Sequence, residues 1–428
     1  MAKRHYLPTV TIVGGGMITQ VQILPSVYQL QRLGLVGDIR ISALNGAPLK
    51  ALAEDPLLQK AFPGQSFTPY PDFTRVDPEE KFPDLFQEVL DSMPPRQIVI
   101  AAVPDQLHYG VIKAALNAGQ HVITVKPLVL TYREALEIEK TGYEKGLFVG
   151  VEYHKRFDDR NLMARAAFQN GLLGDFRLGQ ARLHEPWYYR HSNFQNWMTC
   201  DNSDSFSYIA CHYIDLVAFI TGLRPTAISV SGISEKYPNG NEGFLYTDGR
   251  VIWENGAILN VQNSLSFPDD AAGGNNQGMM LMFRGEDMGT LVSHEDQYRG
   301  VKHSYLSKGS DPGDTIFSEP NPDYFRMVPA GGGGLKPVGY GYRSIEALVE
   351  AVLRIENDTG ALAGNEAIEA SRRILKSYDE EGLLATPANS AYNELVMEAG
   401  RKSILSGGRE VVINYGQDAG VFFRSYGD

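Results

Sequence analysis

Apolar and polar positions follow two regimes along the chain. Over the first 150 residues, apolar or β-branched runs at 7–13, 38–44, 97–103, 121–125 and 147–151 predict buried strands. Between them, residues 18–33, 85–90, 109–118 and 132–145 carry helical patterns, and Gly119 is a helix stop. Strands alternating with helices predict a parallel sheet covered on both faces. The pattern then changes. Residues 227–233, 250–253 and 257–267 read as strands, the last two joined by Glu254-Asn255-Gly256. Asn-Gly predicts a tight hairpin with both turn positions at positive φ. A second hairpin is expected from 278–283 and 289–293 around Gly285-Glu286-Asp287, so this half predicts an antiparallel meander. Helical patterns return at 344–356, 365–377 and 389–405. Residues 269–278 and 303–342 read as long loops, the second containing Gly331-Gly332-Gly333-Gly334. No internal repeat is visible.

Composition narrows the class. The 428 residues are 43% hydrophobic and 21% charged, which is globular and not disordered. Lys plus Arg number 39 against 51 Asp plus Glu, a formal charge of −12. An acidic surface repels phosphate backbones, so no nucleic-acid partner is expected. Cys200 and Cys211 make no disulfide framework and no zinc spacing, and read as two reduced thiols. No apolar run approaches the roughly 18 residues of a membrane helix. Lys3 and Arg4 precede an apolar stretch, but it runs into Gly14-Gly15-Gly16 without an A-x-A cleavage pattern. It reads as the first strand of a cytoplasmic protein.

Gly14-Gly15-Gly16-Met17-Ile18-Thr19 follows that strand and opens a helix, the setting a dinucleotide fingerprint requires. Gly14 permits the tight turn. Gly16 lets the backbone approach a pyrophosphate, which the helix N-terminus at Met17 and Ile18 attracts. Thr19 stands where a third glycine is usual, so the match is incomplete. The second strand ends at Asn45, an amide that can bond a ribose hydroxyl without a charge to repel a 2′-phosphate. NAD is favoured and NADP stays open.

Lys126-Pro127 follows the strand at 121–125, where ligands bind in open parallel sheets. Residues 206–221 form an apolar helix pattern stopped by Gly222, with Tyr208, His212 and Asp215 at i, i+4 and i+7 on one face. An imidazole held by a carboxylate is a general acid/base, although a core histidine would fit the same pattern. Residues 182–191 are dense in aromatic and polar groups, which together suit a sugar's C–H faces and hydroxyls. Trp187, Tyr188 and His191 are the candidates; a subunit contact is the other reading. Glu185 with the two histidines nearby is not assigned a metal. Tyr340, Tyr342 and Arg343 read as part of a flexible loop.

Taken in order, these motifs resemble the glucose–fructose oxidoreductase/inositol dehydrogenase (Gfo/Idh/MocA) family. The resemblance runs from Val13-Gly14-Gly15-Gly16 through Pro104-Asp105-Gln106-Leu107-His108, similar to the family's P-x-x-x-H. It continues through Ala114-Ala115-Leu116-Asn117-Ala118-Gly119-Gln120-His121-Val122, close to A-L-x-A-G-K-H-V. Val125-Lys126-Pro127 matches E-K-P except for Val125, and Lys155-Arg156-Phe157-Asp158 resembles R-R-F-D. The helix pattern D-x-x-x-H-x-x-D is matched at His212 and Asp215, with Tyr208 in place of the first Asp.

The resemblance implies an α/β chain. An N-terminal Rossmann domain, residues 1–127, would precede a C-terminal α+β domain, residues 128–428, with a large open, mostly antiparallel sheet. The last helices would pack back on the first domain. It also implies NAD(P)-dependent hydride transfer at a carbinol of a sugar, cyclitol or sugar derivative, in a homodimer or homotetramer built through the sheet. His212 or Tyr208 would take the proton, Asp215 would orient His212, and Lys126 would stabilise charge on oxygen. Pro104 and His108 would line the cofactor, and Tyr153, Lys155 and Arg156 would frame the substrate. Two other activities occur among relatives: a glycosidase that oxidises transiently, and a non-catalytic nucleotide-binding regulator.

Overall fold

The computed structural model describes residues 6–271, 274–297, 305–306, 317–318, 323–331, 333–416 and 418–425. The chain forms two units, one of residues 1–129, 133–157 and 323–391, the other of residues 130–132, 158–322 and 392–428.

In the first unit, β1 (Val10–Val13), β2 (Ile39–Ser42), β3 (Thr68–Tyr70), β4 (Ile98–Ala101), β5 (His121–Val125) and β6 (Val149–Glu152) form a sheet in the order β3-β2-β1-β4-β5-β6. Every pairing is parallel. Strands covered on both faces carry continuous apolar runs, and β1, β4 and β6 are buried throughout. β3 escapes the sequence pattern because three residues, one exposed and two half-buried, leave no periodicity.

The helix Tyr340–Thr359 belongs to this unit, and its Ile345, Leu348, Val349 and Val352 share a core with Ile12, Leu24 and Ile100. It begins earlier than the sequence pattern suggests. Tyr340 and Tyr342 are buried on its first turn, which corrects the loop reading there. The strands Arg326–Pro329 and Leu335–Val338 pair as a hairpin around the glycine run, where a loop is expected. Within the two expected loops, residues 272–273, 303–304, 307–316, 319–322 and 332 lie outside the described residues, as do residues 298–302 just before the second.

A buried polar knot ties this helix to the sheet. Glu356 accepts hydrogen bonds from Arg96 Nε at 2.7 Å and from His121 Nε2 at 2.9 Å. His121 Nδ1 in turn accepts from the Phe148 N–H at 2.9 Å, so a neutral Nε2–H ring satisfies both partners. Burial favours that neutral form and lowers the His121 pKa, against the pull of Glu356. Burial alone would raise the Glu356 pKa, but the bonds from His121 and Arg96 outweigh it and hold the carboxyl below its usual range.

In the second unit, β7 (Asp175–Pro186), β8 (Pro225–Lys236), β9 (Glu242–Trp253), β10 (Ile258–Phe267), β11 (Asn276–Arg284) and β12 (Gly289–Gln297) join Val411–Asn414 and Gly420–Phe423 in an eight-stranded sheet. The order is β12-β11-β7-β10-β9-β8, followed by the two C-terminal strands. All pairings are antiparallel except β7 with β10. The predicted meander is therefore interrupted. β8, β9 and β10 follow one another, but β7, a stretch with no expected strand, lies between β10 and β11.

The β9–β10 connection also differs from the expected turn. Gly256 takes φ +79° while Asn255 stays at negative φ. Gly256 N–H closes on the Trp253 carbonyl, and Trp253 N–H on Ala257, the pattern of a three-residue connection with a glycine bulge. Asn255 is spent elsewhere, on the Phe176 carbonyl at 3.0 Å.

One row across the sheet is apolar and open. Leu291, Met282, Leu178, Ile258 and Ile252 are successive cross-strand partners from β12 to β9. Partners in register share a face. Leu291, Met282 and Leu178 are 55%, 42% and 46% exposed, and the two isoleucines are half-buried.

Candidate functional site

In the first unit the strand order reverses between β1 and β4, the switch point where open parallel sheets bind ligands. Gly14 follows β1 at φ +118°, and a Cβ built there would lie 2.0 Å from the Ala102 carbonyl oxygen beyond β4. Gly16 is exposed, with nothing within 4 Å of a Cβ position, so the backbone is open to a close neighbour. The helix begins at Met17, and Met17 and Ile18 are half-buried. Thr19 is buried, and its hydroxyl donates to the Gly14 carbonyl at 2.7 Å. A π turn over Thr19–Ile23 stands where a third glycine would let an α-helix pack closely. The tight turn, the bare Gly16 and the helix start fit a dinucleotide pyrophosphate.

Neighbouring strand ends complete this edge. Pro104 precedes a short turn, and His108 opens the helix His108–Asn117. The His108 ring is buried, with Nδ1 2.7 Å from the Pro127 carbonyl and Nε2 2.8 Å from that of Val103. It thus ties the turn after β4 to the turn after β5. Lys126 stands half-buried in that second turn, before a cis Pro127. Asn45 is the N-cap residue of the helix Gly46–Ala53.

Tyr153, Lys155 and Arg156 lie at the end of β6, all buried. Arg156 Nη1 is 3.4 Å from the Gly382 carbonyl and 3.4 Å from Asn389 Oδ1. Beside them is a group the sequence does not signal. The buried Glu152 carboxylate accepts from Gln22 Nε2 at 2.8 Å and Ser344 Oγ at 2.5 Å, and His154 Nδ1 lies 3.1 Å away. The Tyr324 hydroxyl donates to Gln22, and His154 stacks on Tyr340. These residues come from four distant segments, so no spacing rule could join them.

In the second unit, the helix Cys211–Thr221 is buried except for Ala218 and ends at Gly222 in the left-handed region. His212 and Asp215 are 6% and 1% exposed. The Tyr392 hydroxyl donates to Asp215 Oδ1 at 3.5 Å, and Asn393 Nδ2 to the Cys211 carbonyl at 3.0 Å. Tyr208 lies in a π turn, Phe206–Ala210, entered where the Asp204 carboxylate accepts the Ser207 N–H at 2.7 Å. The regular helical spacing assumed between Tyr208 and His212 is not kept. Tyr208 packs edge-on against Phe194 and Trp197 at 5.1 and 5.6 Å.

Trp187–His191 forms a short 3₁₀ turn at the end of β7. Trp187 and Tyr188 are 43% and 48% exposed, and His191 is exposed. Buried Arg190 holds the turn. Its guanidinium lies 4.0 Å from the Trp187 ring centre and bonds Glu235, the Tyr246 hydroxyl and the Leu265 carbonyl. The Tyr188 N–H donates to Asp269 at 3.0 Å. The result is a pair of presented aromatic surfaces on a fixed support. Among the described residues no group of His, Cys, Asp and Glu is arranged to hold a metal. Among them, too, no helix is long and apolar enough to cross a membrane.

Residues 9–153 match the model of an oxidoreductase family with an NAD-binding Rossmann fold. The chain is 24% identical over 151 residues to scyllo-inositol 2-dehydrogenase (NADP(+)) IolW of Bacillus subtilis, 35% of this chain and 41% of that protein. It is 38% identical over 106 residues to the uncharacterized oxidoreductase YfiI of B. subtilis, 24% of this chain and 27% of that one. D-glucoside 3-dehydrogenase of Escherichia coli matches at 27% over 142 residues, 32% of this chain and 39% of it. The chain thus aligns with well under half the length of these relatives. An inositol dehydrogenase homolog of Azotobacter vinelandii, solved with NAD+, shares the fold with a TM-score of 0.62 at 19% identity, covering 96% of this chain and 98% of its own.

Proposed function

We propose, from the premise that residues 9–153 belong to the Gfo/Idh/MocA family of NAD-binding Rossmann oxidoreductases, that this protein moves a hydride between nicotinamide and a carbinol of a sugar, cyclitol or sugar derivative. The observation that carries the reading is the glycine turn at the switch point, where Gly14 abuts Ala102 and Gly16 is bare. The names of two relatives, an inositol and a glucoside dehydrogenase, support the substrate class. So does the Trp187–Tyr188 surface, whose flat faces suit C–H-rich rings.

Bound nicotinamide supplies the hydride acceptor. The rest falls to side chains. The His212 imidazole accepts the carbinol proton as the C–H bond breaks and returns it in the reverse direction. Asp215, anchored by Tyr392, holds the helix face from which His212 acts. Lys126 donates a hydrogen bond to a substrate oxygen and stabilises negative charge developing there. His108 fixes the Lys126-Pro127 turn through the Pro127 carbonyl. Tyr208 is the alternative proton acceptor, and Tyr153, Lys155, Arg156 and His191 remain substrate candidates.

The test is a panel of cyclitols, aldoses and glycosides with NAD or NADP, followed by absorbance of reduced nicotinamide and by analysis of the sugars. Net reduction with one substrate group is the expected result. Glycoside cleavage without net reduction would overturn the dehydrogenase reading in favour of a glycosidase. Cofactor binding with no turnover of any compound would mean a substrate outside the panel or a sensor, which ligand screening by thermal shift separates.

The apolar row on the open sheet supports a homodimer or homotetramer formed through that face. Light scattering is expected to give a multiple of 47.3 kDa, reduced toward that mass by Met282→Asp with Leu291→Asp. A wild-type mass of one chain would sink the proposal.

A further inference from the structure

The residue after β2 that faces the adenosine ribose in dinucleotide folds is usually an acid, and here it is Asn45. The structure brings an acid to it from elsewhere. Asn45 Nδ2 lies 3.4 Å from Glu79 Oε2. That distance alone would mean little at an exposed position, but the backbone holds the two segments together. The Ala47 N–H donates to the Pro78 carbonyl at 3.0 Å, and the Phe82 N–H to the Leu44 carbonyl at 2.7 Å. The two bonds bracket Glu79 on one side and Asn45 on the other. The turn itself is fixed from within, since Asp77 Oδ1 accepts the Glu79 N–H at 2.9 Å and the Asp77 carbonyl accepts the Glu80 N–H at 3.1 Å. A Cβ on Gly46 would lie 3.2 Å from Phe73 Cβ and 3.6 Å from Pro78 Cα, so the segments also touch side to side. Among the described residues no cation is paired with Glu79.

We infer that Glu79 selects NAD over NADP, acting from a turn more than thirty residues beyond the usual position. This rests on the dinucleotide-binding reading of the first unit. Its carboxylate accepts a hydrogen bond from an adenosine ribose hydroxyl, with Asn45 as the second polar partner. The same carboxylate would repel the negative charge of a 2′-phosphate. The question is open among relatives, since IolW is named for NADP(+) while the A. vinelandii structure holds NAD+. Lys50, on the helix that Asn45 caps, is the nearest base in sequence and makes no pair with Glu79.

The test is equilibrium binding, with no substrate present. NADH and NADPH are titrated against wild type, Glu79→Gln, Glu79→Arg and the control Glu80→Gln, and nicotinamide fluorescence is read. Wild type is expected to hold NADH at least about tenfold more tightly than NADPH, a difference that shrinks with added salt. Glu79→Gln narrows the ratio mainly by tightening NADPH, Glu79→Arg narrows it further, and Glu80→Gln leaves it unchanged. Thermal melts establish that each variant is folded. A wild-type preference for NADPH, or an NADH/NADPH ratio unaltered in both folded Glu79 variants, would overturn the assignment and leave the dinucleotide site intact. Failure of wild type to bind either nucleotide would overturn the site itself, and this inference with it.

Discussion

His212→Gln is expected to lower kcat by about 10²–10⁴-fold, the range for loss of a positioned acid/base, while NADH binding and the melting temperature stay near wild type. Glutamine keeps the volume of a side chain that is 6% exposed, so a folding defect is not built into the test. Lys126→Met should also lower kcat, through lost stabilisation of charge on oxygen. The two differ in their pH profiles: the limb set by the acid/base disappears in His212→Gln and persists in Lys126→Met. Tyr208→Phe separates the candidates. If it removes that limb while His212→Gln retains it, Tyr208 takes the proton. Unchanged turnover in both His212→Gln and Lys126→Met would remove these residues from the chemistry.

Gly14→Ala should abolish dinucleotide binding and destabilise the first unit. The added carbon would meet the Ala102 carbonyl oxygen at 2.0 Å, and the φ of +118° is strained for any residue with a side chain. The clash is with backbone on both sides, so relief means separating the ends of β1 and β4. We expect a loss of several kcal/mol, beyond the roughly 1–3 kcal/mol of φ strain alone. Gly16→Ala is the matched control. Its Cβ meets nothing within 4 Å, so the apo protein should melt normally while NADH binding weakens. Calorimetry with NADH titration checks both, and a stable Gly14→Ala variant that binds NADH would refute the assignment.

The legible parts of the sequence were those whose physics is local or periodic. Both-face burial made β1, β4 and β6 visible as apolar runs, and Gly14 and Gly16 stood at fixed offsets from the first. The placement of Lys126 after a parallel strand, and of His212 with Asp215 on one buried helix, was local in the same way, while their roles rest on the proposal. Long-range order was not legible. β7 enters its sheet between β10 and β11, which no local pattern encodes. The π turn at Phe206–Ala210 changes the winding in the one helix where three residues were placed on a face by regular spacing. Asn255 promised a positive φ but bonds the Phe176 carbonyl from a different geometry. Glu79 and Glu152 acquire their settings from segments far along the chain, and a charge in a loop carries no mark of its future neighbour.

The first unit is discontinuous, and synthesis on the ribosome must contend with that. When residue 157 has been made, all six parallel strands exist but the unit cannot close. The nascent chain still lacks Glu356 for His121 and Arg96, Ser344 for Glu152, and the apolar face that Ile345, Leu348 and Val352 bring to the sheet. More than 160 further residues emerge before those groups arrive. Until then buried-to-be polar groups stand open and an apolar face stays wet, a state that invites chaperone capture. Cutting the gene after the last parallel strand would therefore not liberate a working nucleotide module, because the segment that seals it is encoded beyond the whole intervening sheet.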